Sequence, residues 1–508
     1  MSGPLVRDEA AQQLTEYAAS KEYGSRGIIT NTGGNPIANH DSSVTIGLRG
    51  PTLIEDYAMF DQLTHWTHER ISERVVHAKG SGAFGYFECT NDISQYTVAR
   101  IFTSVGKKTP LAARFSTVIY ERGSPDTRRD PRGFAVKYYT EDGIYDMVGN
   151  NTPIFFTRDV TAFISFIRSQ KRNPVTYLPD WDQYWDFISL RPECFHQTIY
   201  EHGDRGTPDG FRHMHGFSSH TYMLINADRQ ITYCKFHYRT NQGVRNLTAQ
   251  RALQLEGQDP DYSIRDLYNA IHRGEYPSWN LYIQVCTPQQ AAELPFNLFD
   301  VSKVLPQKDF PLIPVGRMTL NRNPSNYIAE IEQLAFNPAH FIPGIAATPD
   351  RMLQARLIAY ADTQRHRLGV NYLQLPVNAP HYVKNYMRDG GQVINNQNGA
   401  PVYHPNSFNG PEVDPRIAQL FPDRRLCDKI VQIDSIVEDN YQQPGVLYRE
   451  VFNEQQRQTC ANNIAFTLRR CTERVIERTI MELTKIDDDL GRRVSRIVNQ
   501  AVNPTAQV

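Results

Sequence analysis

The chain has 508 residues, with 54 basic against 55 acidic side chains and a formal net charge of −1, so no nucleic-acid or other polyanionic partner is indicated. Hydrophobic residues make up 40% and charged residues 21%, the balance of a soluble globular protein with material for a large core and several subdomains. The opening MSGPLVRDEAAQQLTEYAAS holds no apolar leader core and no long apolar run follows, which argues against secretion and against membrane spanning.

Residues 1–75 read as an arm. It is polar and irregular, broken by Asn31-Thr-Gly-Gly-Asn-Pro36 and Arg49-Gly-Pro51, and it buries little on its own. His65 and His68 stand one helical turn apart, and His68-Glu69 begins an HExxH zinc motif, but Ser72 occupies the last position and excludes it. Gly106-Lys107 similarly lacks the glycine and hydroxyl of a phosphate-binding loop.

Gly80-Ser-Gly-Ala-Phe-Gly85 fits a dinucleotide fingerprint formally, yet it runs into Phe84-Gly-Tyr-Phe-Glu-Cys89, which alternates as a strand does. The glycines are better read as permitting close backbone approach beside His77. From there to about residue 320 short segments of strand period dominate: 112–119, 133–139, 217–224 and 231–239, with turn signals at Asp142-Gly143 and Pro208-Asp-Gly210. The fold class expected is α+β, an antiparallel eight-stranded β-barrel over 76–320. Asn150 lies in a Gly-Asn-Asn turn, and Asp130 in an Asp-Pro turn; turn chemistry accounts for both as simply as function does.

Residues 321–440 are rich in Asn, Pro and Gln, including the polar tract 393–401, and read as a wrapping segment. One helix interrupts it, over 348–369, with Thr348 as N-cap, Pro349 in the first position and Gly369 as the stop. Arg356 and Tyr360 are four apart and share a face; a fixed cation there favours the phenolate, a hard donor for ferric iron, although a core tyrosine beside a surface arginine is the plainer account. Residues 441–508 turn helical, with stripes at Ile464, Leu468, Cys471, Val475 and at Ile480, Leu483, Ile486, Leu490. Seven scattered cysteines without a CxxC read as reduced thiols of an intracellular protein.

Arg356-Leu-Ile-Ala-Tyr-Ala-Asp-Thr-Gln364 resembles the haem-ligand signature of the monofunctional haem catalases, with Ile358 where that family has phenylalanine. Glu73-Arg-Val-Val-His-Ala-Lys-Gly80, Asp146-Met-Val-Gly-Asn-Asn151 and Arg129-Asp-Pro-Arg-Gly133 resemble further motifs of the same family, in the same order. Trp66 and Ser72 depart from its usual phenylalanine and proline.

The resemblance implies a small-subunit catalase that disproportionates hydrogen peroxide on haem b, with Tyr360 as iron ligand, His77 as proton carrier, Ser116 orienting its ring and Asn150 as amide donor. It further implies Arg356, His220 and Asp350 behind the ligand, Arg74, Arg114 and Arg367 on the propionates, and Val76, Phe155 and Phe163 as walls; Asp130 resembles the family's channel carboxylate. A homotetramer with exchanged arms is expected. So is a peroxisomal site, with the cytoplasm as alternative, although Ala506-Gln507-Val508 is not an SKL-type address. For NADPH, His196 and Arg205 match and Arg239 keeps a lysine's charge, while Leu305, Gln307, Gly203 and His215 depart, so that cofactor is doubtful. An allene oxide synthase on the same scaffold and a haem-free binding protein are the rival classes; retention of His77, Asn150, Arg356 and Tyr360 argues against the second.

Overall fold

The structure is a computed structural model describing residues 8–21, 26–395, 397–420, 431–432 and 438–502; the terminal tripeptide 506–508 lies outside the described residues. The chain divides into two compact units, 1–73 and 74–508. In the first, the helix Tyr57–Trp66 is capped by Asp56, whose carboxylate accepts from Met59 N–H, and Asp61 holds both the backbone and the hydroxyl of Thr32. A short helix, Gln13–Ala19, lies where the sequence suggested only irregular chain.

The second unit is built on a closed barrel. Its strands are β1 (Gly80–Cys89), β2 (Lys108–Ser116), β3 (Gly133–Thr140), β4 (Gly143–Asn150), β5 (Gly216–Phe217), β6 (Tyr222–Ile225), β7 (Ile231–Thr240), β8 (Ser278–Cys286), β9 (Ile313–Arg322) and β10 (Ile345–Ala347). Antiparallel pairing runs β1–β2–β3–β4–β5–β7–β8–β9 and returns from β9 to β1, so eight strands close the ring; β6 continues the β5 edge along β7, and β10 adds to β6. The glycine-rich 80–85 run lies inside β1, as its alternation indicated.

Strand parity assigns the two faces. Phe87, Leu111, Ala113, Phe115, Phe134, Val136, Tyr138, Tyr145 and Met147 point inward and form a dry core with Trp279, Phe236 and Phe102. The alternate residues, Ala112, Arg114, Ser116, Ala135, Val148 and Asn150, point outward, and it is this outer face that bears the site.

Three expectations are corrected. The 217–224 segment is not one strand: β5 and β6 are separated by a turn in which Ser219 has φ 58°, held by Lys235 Nζ donating to the Ser219 carbonyl and by Ser218 Oγ, which donates to the His220 carbonyl and accepts from Phe236 N–H. On either side of β5–β7, between 151 and 215 and between 241 and 272, helices replace strands: Val160–Gln170, Trp181–Leu190, Phe195–His202, Ala249–Gln258 and Tyr262–His272. The helix that carries Arg356 and Tyr360 is Arg351–Leu368, capped by Asp350 through Leu353 N–H rather than by Thr348, whose hydroxyl donates to the Thr221 carbonyl. Gly369 does end it, at φ 97°.

The C-terminal region is helical, with Glu454–Leu468, Glu473–Ile486 and Asp488–Val502. Ile464, Leu468, Val475, Leu483, Ile486 and Leu490 are buried in one cluster with Phe166, Trp185 and Phe195, and Cys471 packs against it.

Candidate active site

One rung of the barrel organises the site. Gly80 pairs with Ser116, Ser116 with Gly133 and Gly133 with Asn150, so serine and asparagine project from the same face with a glycine between them. His77 lies three residues before that rung, at φ 65°, a conformation non-glycine residues seldom adopt. Its backbone is held at both ends: its N–H donates to the Val118 carbonyl at 2.7 Å, and its carbonyl accepts from Arg114 Nη1 at 2.8 Å. Its ring Nδ1 is 2.9 Å from Ser116 Oγ. Burial, then the Arg114, Arg356 and Arg74 guanidinium charges, push the imidazole down from 6.5 to about 3, so it is neutral across the ordinary range.

Asn150 is buried and its amide donates to the Arg132 carbonyl at 3.3 Å. Val76, Phe155 and Phe163 converge on one apolar cluster, with the two rings 5.6 Å apart. Asp130, which the sequence placed in a turn or a channel wall, is 1% exposed and accepts from the N–H groups of Val118 and Ile119. It therefore fixes the same peptide whose carbonyl holds His77.

On the helix Arg351–Leu368, Arg356 Nη2 donates to the Tyr360 hydroxyl oxygen at 2.7 Å, and Nη1 donates to His220 Nε2 at 2.6 Å. Because guanidinium can only donate, His220 must present a lone pair at Nε2 and carry its proton on Nδ1, which donates to Asp350 Oδ2 at 2.6 Å. Burial works against the Arg356 charge, but the Tyr360 and Tyr222 phenols outweigh it and hold its pKa above the usual arginine value. Arg356 also donates to the Val148 carbonyl on β4, and Tyr360 packs on the outer-face cluster of Ala112, Val148, Leu334, Phe336 and Val377. Ile358, the departure from the family motif, is 76% exposed and turned away from these contacts.

The third group is cationic. Arg74 donates to the carbonyls of Ile331, Glu332 and Leu334, Arg367 to those of Glu332 and Leu334, and Arg114 to those of His77 and Ala78. Burial and the charges of Arg114 and Arg367 lower the Arg74 pKa well below its usual value. The buried Glu332 carboxylate, which sequence reading missed, lies 3.4 Å from Arg74 Nη1. Neither Arg74 Nη1 nor Arg114 Nε has a hydrogen-bond partner among the described residues. Small outward residues beside a ligand-capable tyrosine, with clustered guanidiniums short of acids, fit a flat cofactor bearing carboxylates.

A fourth group comprises His196, whose Nδ1 lies 2.8 Å from the Ser302 carbonyl oxygen, Arg205, stacked over Tyr200 and Phe217, and Arg239, also over Phe217. Leu305 is buried, and a β-carbon on Gly203 would come within 3.0 Å of Phe452. Among the described residues no cluster of His, Cys, Asp and Glu is suited to a metal ion, and no helix is long and apolar enough to cross a membrane.

Comparison with known proteins agrees with this arrangement. The family described as Catalase matches residues 30–410, and a second, described as Catalase-related immune-responsive, matches residues 435–498. The chain is 51% identical over 497 residues to a catalase of Cavia porcellus, covering 97% of this chain and 94% of that one. It is 52% identical over 499 residues to a catalase of Drosophila melanogaster, covering 97% and 98%. Among solved structures, a fungal catalase superposes with TM-score 0.90 at 39% identity, covering 94% of this chain and 97% of that one. A bacterial catalase gives 0.89 at 41% identity, covering 97% and 99%. With that match over most of its length and half its residues identical to those relatives, the chain belongs to the catalase family.

Proposed function

We propose that this chain disproportionates hydrogen peroxide, two molecules giving two of water and one of oxygen, on a haem b lodged against the outer face of β2–β4 with Tyr360 as its iron ligand. The observation that supports this most directly is the hydrogen-bonded line Tyr360–Arg356–His220–Asp350, tied by Arg356 to Val148 on the strand that ends in Asn150. Arg74, Arg114 and Arg367 would hold the propionates. When bound, the haem supplies an iron that accepts and returns the electrons exchanged between the two peroxides.

The remaining chemistry belongs to the chain. His77, neutral and held through Nδ1 by Ser116, takes a proton at Nε2 from the near peroxide oxygen and delivers it to the departing one. Asn150 donates its amide to the oxygen on which negative charge grows, without changing protonation. Val76, Phe155 and Phe163 keep bulk water from the path. Arg356 donates to the Tyr360 oxygen, and Asp350 orients His220, which orients Arg356.

The same reading extends to a small-subunit enzyme assembled as a homotetramer. It divides the chain into arm (1–75), barrel (76–320), wrapping segment (321–440) and helical domain (441–508), and locates it inside the cell, in the peroxisome or else the cytoplasm. The free cysteines of the described residues support an intracellular site. For NADPH the reading is weak binding or none: the cationic pair Arg205 and Arg239 remains, but Leu305 offers no aromatic face and Gly203 no hydroxyl. Purified protein should show a haem absorption spectrum and release oxygen from peroxide alone; oxygen release without haem would overturn the proposal, and preferential turnover of a lipid hydroperoxide would favour the synthase.

A further inference from the structure

Glu332 is the last residue of a π-helix, Ile328–Glu332, and is 1% exposed. That wide turn closes with Gln333 N–H donating to the Ile328 carbonyl at 3.1 Å. Because the helix ends there, the carbonyls of Ile331 and Glu332 are left for side chains to satisfy. Arg74 Nη2 donates to the carbonyls of Ile331, Glu332 and Leu334 at 3.1, 2.9 and 2.9 Å, and Arg367 donates to the last two of these. One terminal nitrogen of Arg74 is thus pinned to backbone three times over.

The other terminal nitrogen is placed differently. Arg74 Nη1 makes no hydrogen bond among the described residues and faces Glu332 Oε2 at 3.4 Å. A charge-assisted hydrogen bond between such groups closes to about 2.7–2.9 Å. Glu332 therefore attracts the guanidinium without consuming its Nη1 protons. The second carboxylate oxygen, Oε1, lies 3.6 Å from Nη1 of Arg122, in the loop between β2 and β3. The carboxylate is strung between two guanidiniums from separate parts of the chain. An acid that only offset buried charge would close on its partner and saturate it. This one sets where Arg74 lies and leaves a donor open.

We propose that Glu332 is a positioning residue for the cofactor: its carboxylate steers Arg74, already anchored through Nη2, so that Nη1 is presented to a propionate. The proposal rests on the reading of Arg74, Arg114 and Arg367 as the propionate-binding cations, and adds to it an acid that touches two guanidiniums at once.

Resonance Raman spectra of the haem-loaded protein test it, since they report the propionate bending band and the iron–phenolate band separately. Glu332→Gln should shift the first band and leave the second at its parental position. Haem loss to excess apomyoglobin should run on the order of tenfold faster, as expected when one charge-assisted hydrogen bond is lost. In an Arg74→Met background the same substitution should change neither readout further, because the residue it acts through is gone. Glu332→Asp keeps the charge but draws it back by one carbon; it should shift the propionate band in the same direction, and it replaces the glutamine variant in the cycle if that one does not fold. An unmoved propionate band, haem loss at or below the parental rate, or effects that simply multiply in the double variant would overturn the proposal. A parent without an iron–phenolate band defeats the assignment of Tyr360 and leaves the propionate arm of the test intact. A parent that takes up no haem defeats the cofactor reading and this proposal together.

Discussion

Gly133 and His77 are in such close register that a β-carbon on Gly133 would lie 2.6 Å from His77 Nδ1, and closer still to Ser116 Oγ. The glycine is therefore the space in which the serine meets the imidazole. Gly133→Ala should displace the ring while leaving β3 paired, and a misplacement near 1 Å costs on the order of 10²-fold in turnover. Oxygen release per bound haem measures it; parental turnover would show that the ring tolerates the methyl.

Removing the phenol tests the ligand. Tyr360→Phe deletes the acceptor of the Arg356 bond and the proposed oxygen donor for iron together. Haem occupancy should fall, or the ferric spectrum should change sharply. An unaltered spectrum at full occupancy would assign the iron to another residue.

His77 and Asn150 should separate in magnitude. His77→Ala should retain haem but nearly abolish oxygen release, since the proton loses its carrier. Asn150→Ala, removing one charge-stabilising donor, should cost on the order of 10²-fold. Small and equal losses in both would contradict the division of roles.

The pH dependence follows from the depressed imidazole. A histidine whose pKa falls from 6.5 to about 3 stays neutral as the medium is acidified, so kcat/KM should run flat through pH 6.5. The unfolded chain binds that proton near 6.5, so keeping the ring neutral costs folding stability increasingly below that pH. Oxygen release is therefore measured only where circular dichroism is unchanged. An activity midpoint near 6.5 on a folded protein would mean that His77 is not held neutral, or is not the carrier.

NADPH should bind weakly. Loss of an aromatic contact at Leu305 and of a hydrogen-bonding ring at Gln307 costs roughly 1 kcal/mol each, together a tenfold or greater drop in affinity. Titration calorimetry at moderate salt decides it, and a submicromolar dissociation constant would refute it.

Much of this was legible in sequence because strand period is local. The alternations at 133–139 and 231–239 carry their burial with them and became β3 and β7. The split between β5 and β6 was not legible, since what breaks the strand is Lys235 reaching the Ser219 carbonyl. The helix cap was misplaced because Thr348 is a good cap by type, whereas Asp350, two residues on, caps with one oxygen while holding His220 with the other. At the site, motifs supplied His77, Asn150 and Tyr360 as candidates. The role of Gly133 appears only when the strand register brings it beside Ser116, and buried charges such as Glu332 and Lys235 have no signature in a linear sequence.

The outer-face location of the site has a consequence for how the protein is made. His77, Ser116, Gly133 and Asn150 sit on sequence-adjacent hairpins and are all synthesised by residue 150, whereas Tyr360 follows about two hundred residues later. At ribosomal speeds that is an interval of roughly ten to forty seconds, during which the nascent chain offers one wall of the proposed pocket without Tyr360. The barrel cannot close before β9 at residues 313–322 returns to β1, so ring closure and the arrival of the helix bearing Tyr360 are late events in the same stretch of translation. On the proposed assignment, cofactor capture would wait until every strand of the barrel has been made.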